Sequence, residues 1–320
     1  MKKFVGKLIL LILIVAVITG AVNYIYVSHC INLSTMKDVK NDSAYIENVP
    51  TGIEVCNFGN SHGYYGFDYG EKNETCFNFA LPSQSLSYDY RIMDSYKENI
   101  APESTVIICV SYLSFFGPDE TSDSEFESMN KRYYHFLDKE HIKEYDFKTK
   151  LFVHYLPGVV VSDDSEWLMT LLGRNSEEDM WSEVTDAESA AAQAPGRYKK
   201  HVADRLDENG ERIFNEEEIE AVYDMIKLCK EIGARPVLVT PPFLAEYTDE
   251  VMKNDPHFLE DFYGVTEEIK NNTGVEYYDY SFDERFVGKY ELFMNTDHLN
   301  KAGAEYFTDI IWDEAVLGGF

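Results

Sequence analysis

Short apolar runs alternating with amphipathic stretches limit this chain to a narrow set of folds. Ile53–Phe58, Thr75–Leu81, Thr105–Val110, Pro236–Thr240 and Val275–Tyr280 have the length and the branched or aromatic content of strands. The third is apolar on both faces, as central parallel strands are. Between them the period changes to that of helices. Pro82-Ser83 opens one, with Ser83 as cap and Leu86, Tyr90 and Met93 on its inner face. Asn215 caps another over Glu216–Ile232, which has an acidic first turn, apolar Ile219, Val222, Ile226 and Cys229, and Gly233 as its stop. Further helices are expected around Leu259–Ile269 and from about Asn300 to Trp312. Strands alternating with helices predict an α/β fold: a three-layer α/β/α sandwich around a central parallel sheet of about five strands, flavodoxin-like in type.

One stretch interrupts the alternation. From about 117 to 210 the pattern dissolves into helical fragments near Tyr133 and Leu137, an apolar patch from Leu151 to Val161, and the run Trp167–Leu172. Roughly ninety residues exceed what one crossover needs, so this reads as a mostly helical insertion at the carboxyl edge of the sheet, shaping or covering a pocket. Trp167 and Trp181 either face a partner or form the insertion's own small core.

The N-terminus has a different character. Lys2, Lys3 and Lys7 precede an uncharged apolar span from Leu8 to Val27. At about 1.5 Å per residue it crosses a hydrocarbon core of roughly 30 Å. Lysines on its amino side alone place the N-terminus in the cytoplasm and the main domain outside, with Tyr24 and Tyr26 at the outer interface. A cleaved signal peptide ending near Ala21 is the competing reading, but the run is long for that and the cleavage site poor. Residues 1–30 are thus expected to be stub and anchor, 31–50 a polar spacer, and 51–320 the extracytoplasmic domain.

A net charge of -29, from 57 acidic against 28 basic residues, argues against nucleic acid as a partner. The cysteines Cys30, Cys56, Cys76, Cys109 and Cys229 show no metal-type pairs and read as small buried hydrophobes rather than a disulfide framework. His135, His141, His154 and His201 have no ligand spacing and there is no glycine-rich phosphate loop, so no metal or cofactor is expected.

The chemistry concentrates at two places. After Ile53–Phe58, Gly59 and Gly63 bracket a sharp turn that delivers Ser61 to the carboxyl end of a strand, where open α/β sheets place their sites. Near the other end, Asn295-Thr296-Asp297-His298 offers a histidine with carboxamide and carboxylate neighbours, the company a serine needs to become a nucleophile. His62 beside the serine reads as a polar loop residue or a second base.

Asn57-Phe58-Gly59-Asn60-Ser61-His62-Gly63, Phe77-Asn78-Phe79-Ala80-Leu81-Pro82-Ser83-Gln84, and Asp297-His298-Leu299-Asn300 with Gly303 resemble the SGNH (GDSL-like) hydrolase superfamily. They are most similar to its membrane-anchored branch, which includes the D-alanyl transfer protein of teichoic acid modification and the alginate O-acetylation proteins. The likeness covers roughly residues 50–115 and 235–315. It implies Ser61 as nucleophile, His298 as general base and the Ser61 backbone N–H as an oxyanion donor. In the superfamily the acid sits three residues before the histidine, a place held here by Asn295, so Asn295 through its carbonyl oxygen and Asp297 through an unusual backbone are both candidates to orient the imidazole. The asparagine expected after the third strand is replaced by Ser111-Tyr112-Leu113-Ser114. Gly59, Asn60, His62, Asn78, Gln84 and Ser114 are the candidates for oxyanion or substrate contacts.

The resemblance implies a serine esterase or acyltransferase moving an acetyl or D-alanyl group on or off an envelope polysaccharide or teichoic acid, with no cofactor. It implies a multi-pass membrane acyltransferase as partner. The alternative is a binding or scaffolding protein that kept the fold and lost the chemistry.

Overall fold

The apolar runs assemble into one five-stranded sheet, parallel throughout, in the order β2-β1-β3-β4-β5. The strands are β1 (Ile53–Phe58), β2 (Cys76–Asn78), β3 (Ile100–Cys109), β4 (Arg235–Thr240) and β5 (Glu276–Asp279). Numbered along the chain, the helices are α1 (Lys2–Ile25) in the N-terminal stretch and, around the sheet, α2 (Ser61–Gly66), α3 (Leu86–Tyr96), α4 (Ala187–His201), α5 (Glu216–Ile232), α6 (Ala245–Asn254), α7 (Phe258–Thr273) and α8 (Lys301–Ile311). This computed structural model describes residues 2–25, 49–70, 72–119, 121, 126–156 and 180–318. The chain divides into two compact units, Met1–Asn48 with Glu127–Glu178, and Val49–Phe126 with Asp179–Phe320.

The sheet lies in the second unit. Val55, Ile107, Cys109, Val237 and Val239 share a buried cluster with Phe307, Ile310 and Ile311 of α8. The alternate residues Cys56, Val106, Ile108 and Leu238 are also fully buried, as strands covered on both faces require. From β1 the chain moves outward to β2, and from β3 it moves outward the other way. That reversal opens a crevice at the carboxyl ends of β1 and β3.

Local departures from the sequence reading have visible causes. β2 ends at Asn78 because its Oδ1 accepts the Ala80 N–H at 3.0 Å and bends the chain. β3 begins before Pro102, pairing Ile100 with Ile53; the ladder then shifts register, with Glu103 in the left-handed region at φ 66°, and runs regularly from Thr105. The cap of α3 is Ser85, not Ser83: Ser85 Oγ accepts from Tyr88 N–H, while Ser83 sits in the preceding turn at φ 56°. Glu218 of α5 adds a carboxylate at that helix start, accepting from Leu86 N–H at 2.5 Å. Leu86 and Met93 are buried as expected, but Tyr90 is only half-buried, and Tyr88, Asp89 and Ile92 complete the inner face.

Within 117–210, the first unit carries short turns at Lys131–His135, Phe147–Lys150 and Leu151–Tyr155, with Tyr133, Tyr134, Leu137 and Ile142 buried. Residues 180–210 belong to the sheet-bearing unit instead. There Trp181 is 6 % exposed, so it offers no open platform to a partner. In α4, Asp186 caps the start, Ala190, Ala194 and His201 are buried, and Pro195 precedes Gly196 within the helix. Proline has no amide hydrogen, so the Ala191 carbonyl lacks its helical partner.

α1 is long and apolar enough to cross a membrane. The described cysteines, Cys56, Cys76, Cys109 and Cys229, are free thiols. Tyr26, Cys30, the spacer to residue 48 and Trp167–Leu172 lie outside the described residues.

Candidate active site

Past Phe58 the chain turns through Gly59 at φ +143°, where an added Cβ would come 2.7 Å from Cβ of Cys109 on β3. Only glycine meets both conditions. The Gly59 N–H is held by Oδ1 of buried Asp89 at 2.9 Å, and that carboxylate also accepts from Gln84 Nε2 at 2.5 Å. Asn60 then caps α2: its Oδ1 accepts from His62 N–H at 3.0 Å, and its Nδ2 donates to Ser111 Oγ at 2.8 Å. Ser61 is therefore the first helical residue beyond β1, and its backbone N–H belongs to a first turn that has no helical acceptor.

The histidine is mounted as firmly. Phe293 and Leu299 form an antiparallel bridge that closes the loop between them, and Asn300 caps α8 through Gly303 N–H at 3.0 Å. Inside that loop Asn295 Oδ1 accepts from the backbone N–H groups of Asp297 (3.1 Å) and His298 (2.9 Å). The same oxygen lies 3.1 Å from His298 Nδ1. The other ring nitrogen, Nε2, is 2.8 Å from Ser61 Oγ. An Nδ1–H donated to Asn295 leaves Nε2 unprotonated toward the serine, the tautomer a general base requires.

Asp297 approaches the same ring nitrogen as Asn295. Its side chain is fully buried, with Oδ1 3.4 Å from His298 Nδ1 and 3.0 Å from Arg197 Nε on α4. Neither contact is aligned as a hydrogen bond, so Oδ1 is held by charge. Oδ2 lies 3.3 Å from His62 Nε2 and 3.8 Å from His201 Nδ1, which also meets the Tyr247 hydroxyl at 3.0 Å. Burial alone would raise the Asp297 pKa. His298 and His62 outweigh it and hold the carboxyl well below the usual range.

His62 stacks on His298 with ring centroids 4.7 Å apart, and both its nitrogens face acceptors, Asp297 Oδ2 and Asn60 Oδ1 at 3.1 Å. Two protons would satisfy both contacts, yet burial lowers its pKa to about 4 against the pull of Asp297. With Arg197 already compensating the carboxylate, desolvation decides and the ring is neutral at neutral pH. Its one proton belongs on Nε2, where the acceptor is charged. His201 is pushed down in the same way by burial.

Ser61, His298, Asn295 and Asp297 thus come together, with His62 behind them. Asn78 and Gln84 serve the scaffold instead. Asn78 Nδ2 donates to the carbonyls of Gly63, Tyr64 and Phe67, and Gln84 Nε2 to Asp89 and the Phe79 carbonyl. Ser114 Oγ accepts the Ser111 N–H at 2.9 Å, which organises the turn after β3. Sequence reasoning missed Arg197, His201 and Ser111; the first two sit four residues apart on one helical face with Ala190 and Ala194, a periodicity that the surrounding irregular stretch obscured.

The chain matches no protein-family model and no curated protein. His62, Asp297 and His298 each bring one ligand atom within 4.8 Å of the others, a spacing that could hold a metal ion. Arg197 already supplies a positive charge to the same carboxylate, and His298 Nε2 faces the serine. The arrangement is one for proton transfer from a hydroxyl.

Proposed function

We propose that this chain is an SGNH-type serine esterase or acyltransferase, anchored by α1 with its main domain outside the cytoplasm. It moves a small acyl group, acetyl or D-alanyl, on or off an envelope polysaccharide or teichoic acid. The observation that carries the reading is the 2.8 Å approach of His298 Nε2 to Ser61 Oγ, with Nδ1 held by Asn295. The 2-1-3-4-5 sheet with its serine at the crevice, and the sequence blocks around Ser61 and His298, support the superfamily.

In this mechanism Ser61 Oγ attacks the acyl carbonyl while its proton passes to His298 Nε2. The oxyanion meets the Ser61 N–H at the start of α2. Collapse of the tetrahedral adduct breaks the bond to the leaving alkoxide, which takes the proton from Nε2 and leaves acyl-Ser61. An acceptor hydroxyl of the polymer, or water, then repeats the sequence in reverse. A membrane acyltransferase that delivers acyl groups across the bilayer is the partner this scheme calls for.

A second reading, a binding protein with a degenerate site, is favoured by one observation: the Asn78 and Gln84 amides are engaged in the scaffold, and Asn60 donates to Ser111. Intact-mass analysis after exposure to a fluorophosphonate separates the two. Single labelling that is lost in Ser61→Ala and His298→Ala supports the enzyme. Polymer binding that survives both substitutions, with no labelling of the wild type, favours the binding protein.

A further inference from the structure

Asp297 faces four groups that carry or accept a proton, yet one of them bears a permanent charge. Arg197 comes from α4, about a hundred residues before the histidine loop, and stands 3.0 Å from Oδ1, the oxygen that also faces His298 Nδ1. The carboxylate is fully buried; Oδ2 meets His62 Nε2 at 3.3 Å, whereas Oδ1 has no aligned hydrogen bond and is held by charge. Arg197 side-chain exposure is 28 %, and among the described residues Asp297 is its ion-pair partner. We propose that Arg197 is a positioning residue of the serine site: its guanidinium holds the Asp297 carboxylate between His298 and His62, and so keeps the base and the serine turn in register.

The proposal rests on the hydrolase-like reading of Ser61 and His298, and adds what keeps that pair in place. His62 belongs to α2 and follows the serine; His298 belongs to the loop before α8. One carboxylate touches both, through Oδ2 and Oδ1, and ties the serine's helix to the base's loop. Without a cation beside it, a buried carboxylate draws protons from every imidazole in reach or becomes protonated itself. The groups facing Asp297 are Arg197 and His201 on α4, His62 on α2 and its neighbour His298, with the Tyr247 hydroxyl of α6 behind His201. Arg197 and His298 both hold the His62 titration down, so loss of the guanidinium has a defined sign.

The test uses the full-length chain in detergent micelles with histidine-selective nitrogen-15 labelling, comparing wild type, Arg197→Gln and Arg197→Lys. In Arg197→Gln the His62 titration midpoint is expected to rise, and Arg197→Lys to restore it. Fluorophosphonate labelling at neutral pH should slow by about tenfold or more in Arg197→Gln, through misplacement of the base, and recover in Arg197→Lys. An unchanged His62 midpoint in Arg197→Gln overturns the role of Arg197, whether or not the protein labels. A merely structural role, with a fall in thermal midpoint but an unmoved histidine titration, overturns it too. Failure of the wild type to label leaves the titration readout intact and counts against the esterase reading alone.

Discussion

The carboxamide oxygen of Asn295 lies 3.1 Å from His298 Nδ1, and Asp297 Oδ1 brings its charge to 3.4 Å from the same nitrogen. On the proposed serine mechanism, the orientation and charge that one carboxylate supplies in a serine triad are divided between these two residues. Removing each should therefore have a different consequence.

Asn295→Ala deletes the acceptor that fixes Nδ1–H and frees two backbone N–H groups in the loop. Fluorophosphonate labelling should slow by about 100-fold, whereas Asn295→Asp, which accepts the same bonds, should retain or raise the rate. Asp297→Asn keeps the tautomer but leaves Arg197 opposite a neutral amide, so it should lower the thermal midpoint as well as the labelling rate. Equal rates in Asn295→Ala and wild type would remove Asn295 from the orienting role.

His62 sets a pH dependence of stability. Its folded pKa of about 4 lies below the unfolded value of 6.5, so between the two the unfolded chain binds the extra proton. Stability from this group is full above the upper value, falls as pH drops through the interval, and is lost below about 4. The span corresponds to something on the order of 3 kcal/mol, and His201, shifted the same way, adds to it. Urea unfolding followed from about pH 7 to pH 4 should show this slope, and His62→Gln should flatten it.

Gly59→Ala meets two obstacles at once, the Cβ of Cys109 at 2.7 Å and a backbone at φ +143°. A loss of roughly 2–4 kcal/mol in urea unfolding is expected, with labelling of Ser61 reduced in whatever remains folded. Wild-type stability in this variant would mean that the turn is built differently.

Gln84 offers a test of where the oxyanion contacts lie. Its amide donates to Asp89, which holds the Gly59 N–H, so Gln84→Ala should cost about 1–3 kcal/mol of stability and change the labelling rate little. A rate loss of about 100-fold with unchanged stability would place the amide at the oxyanion after all.

Much of this architecture was legible because apolar periodicity and caps are local signals. β1, Glu216–Ile232 with its Asn215 cap and Gly233 stop, and the last helix all follow from residues a few positions apart. The pairing of Ser61 with His298 was reached through two blocks of sequence, while its geometry depends on the fold. What escaped was non-local. Nothing near Arg197 or His201 in the chain announces Asp297, and the long irregular stretch concealed that its final part packs with the sheet. Asn78 and Gln84 looked like free amides because their acceptors are backbone carbonyls and a carboxylate, which composition does not reveal. Ser83 looked like a cap because serine after proline usually precedes a helix, but its left-handed backbone moves the start to Ser85.

Pro195 and Gly196 directly precede Arg197 in α4, where the helix lacks one hydrogen bond and contains its least helix-favouring residues. On the proposal that Arg197 holds Asp297, opening of that turn would withdraw the guanidinium from the carboxylate. Hydrogen exchange at the amides after Gly196 would then report how often the site proposed here stands disassembled.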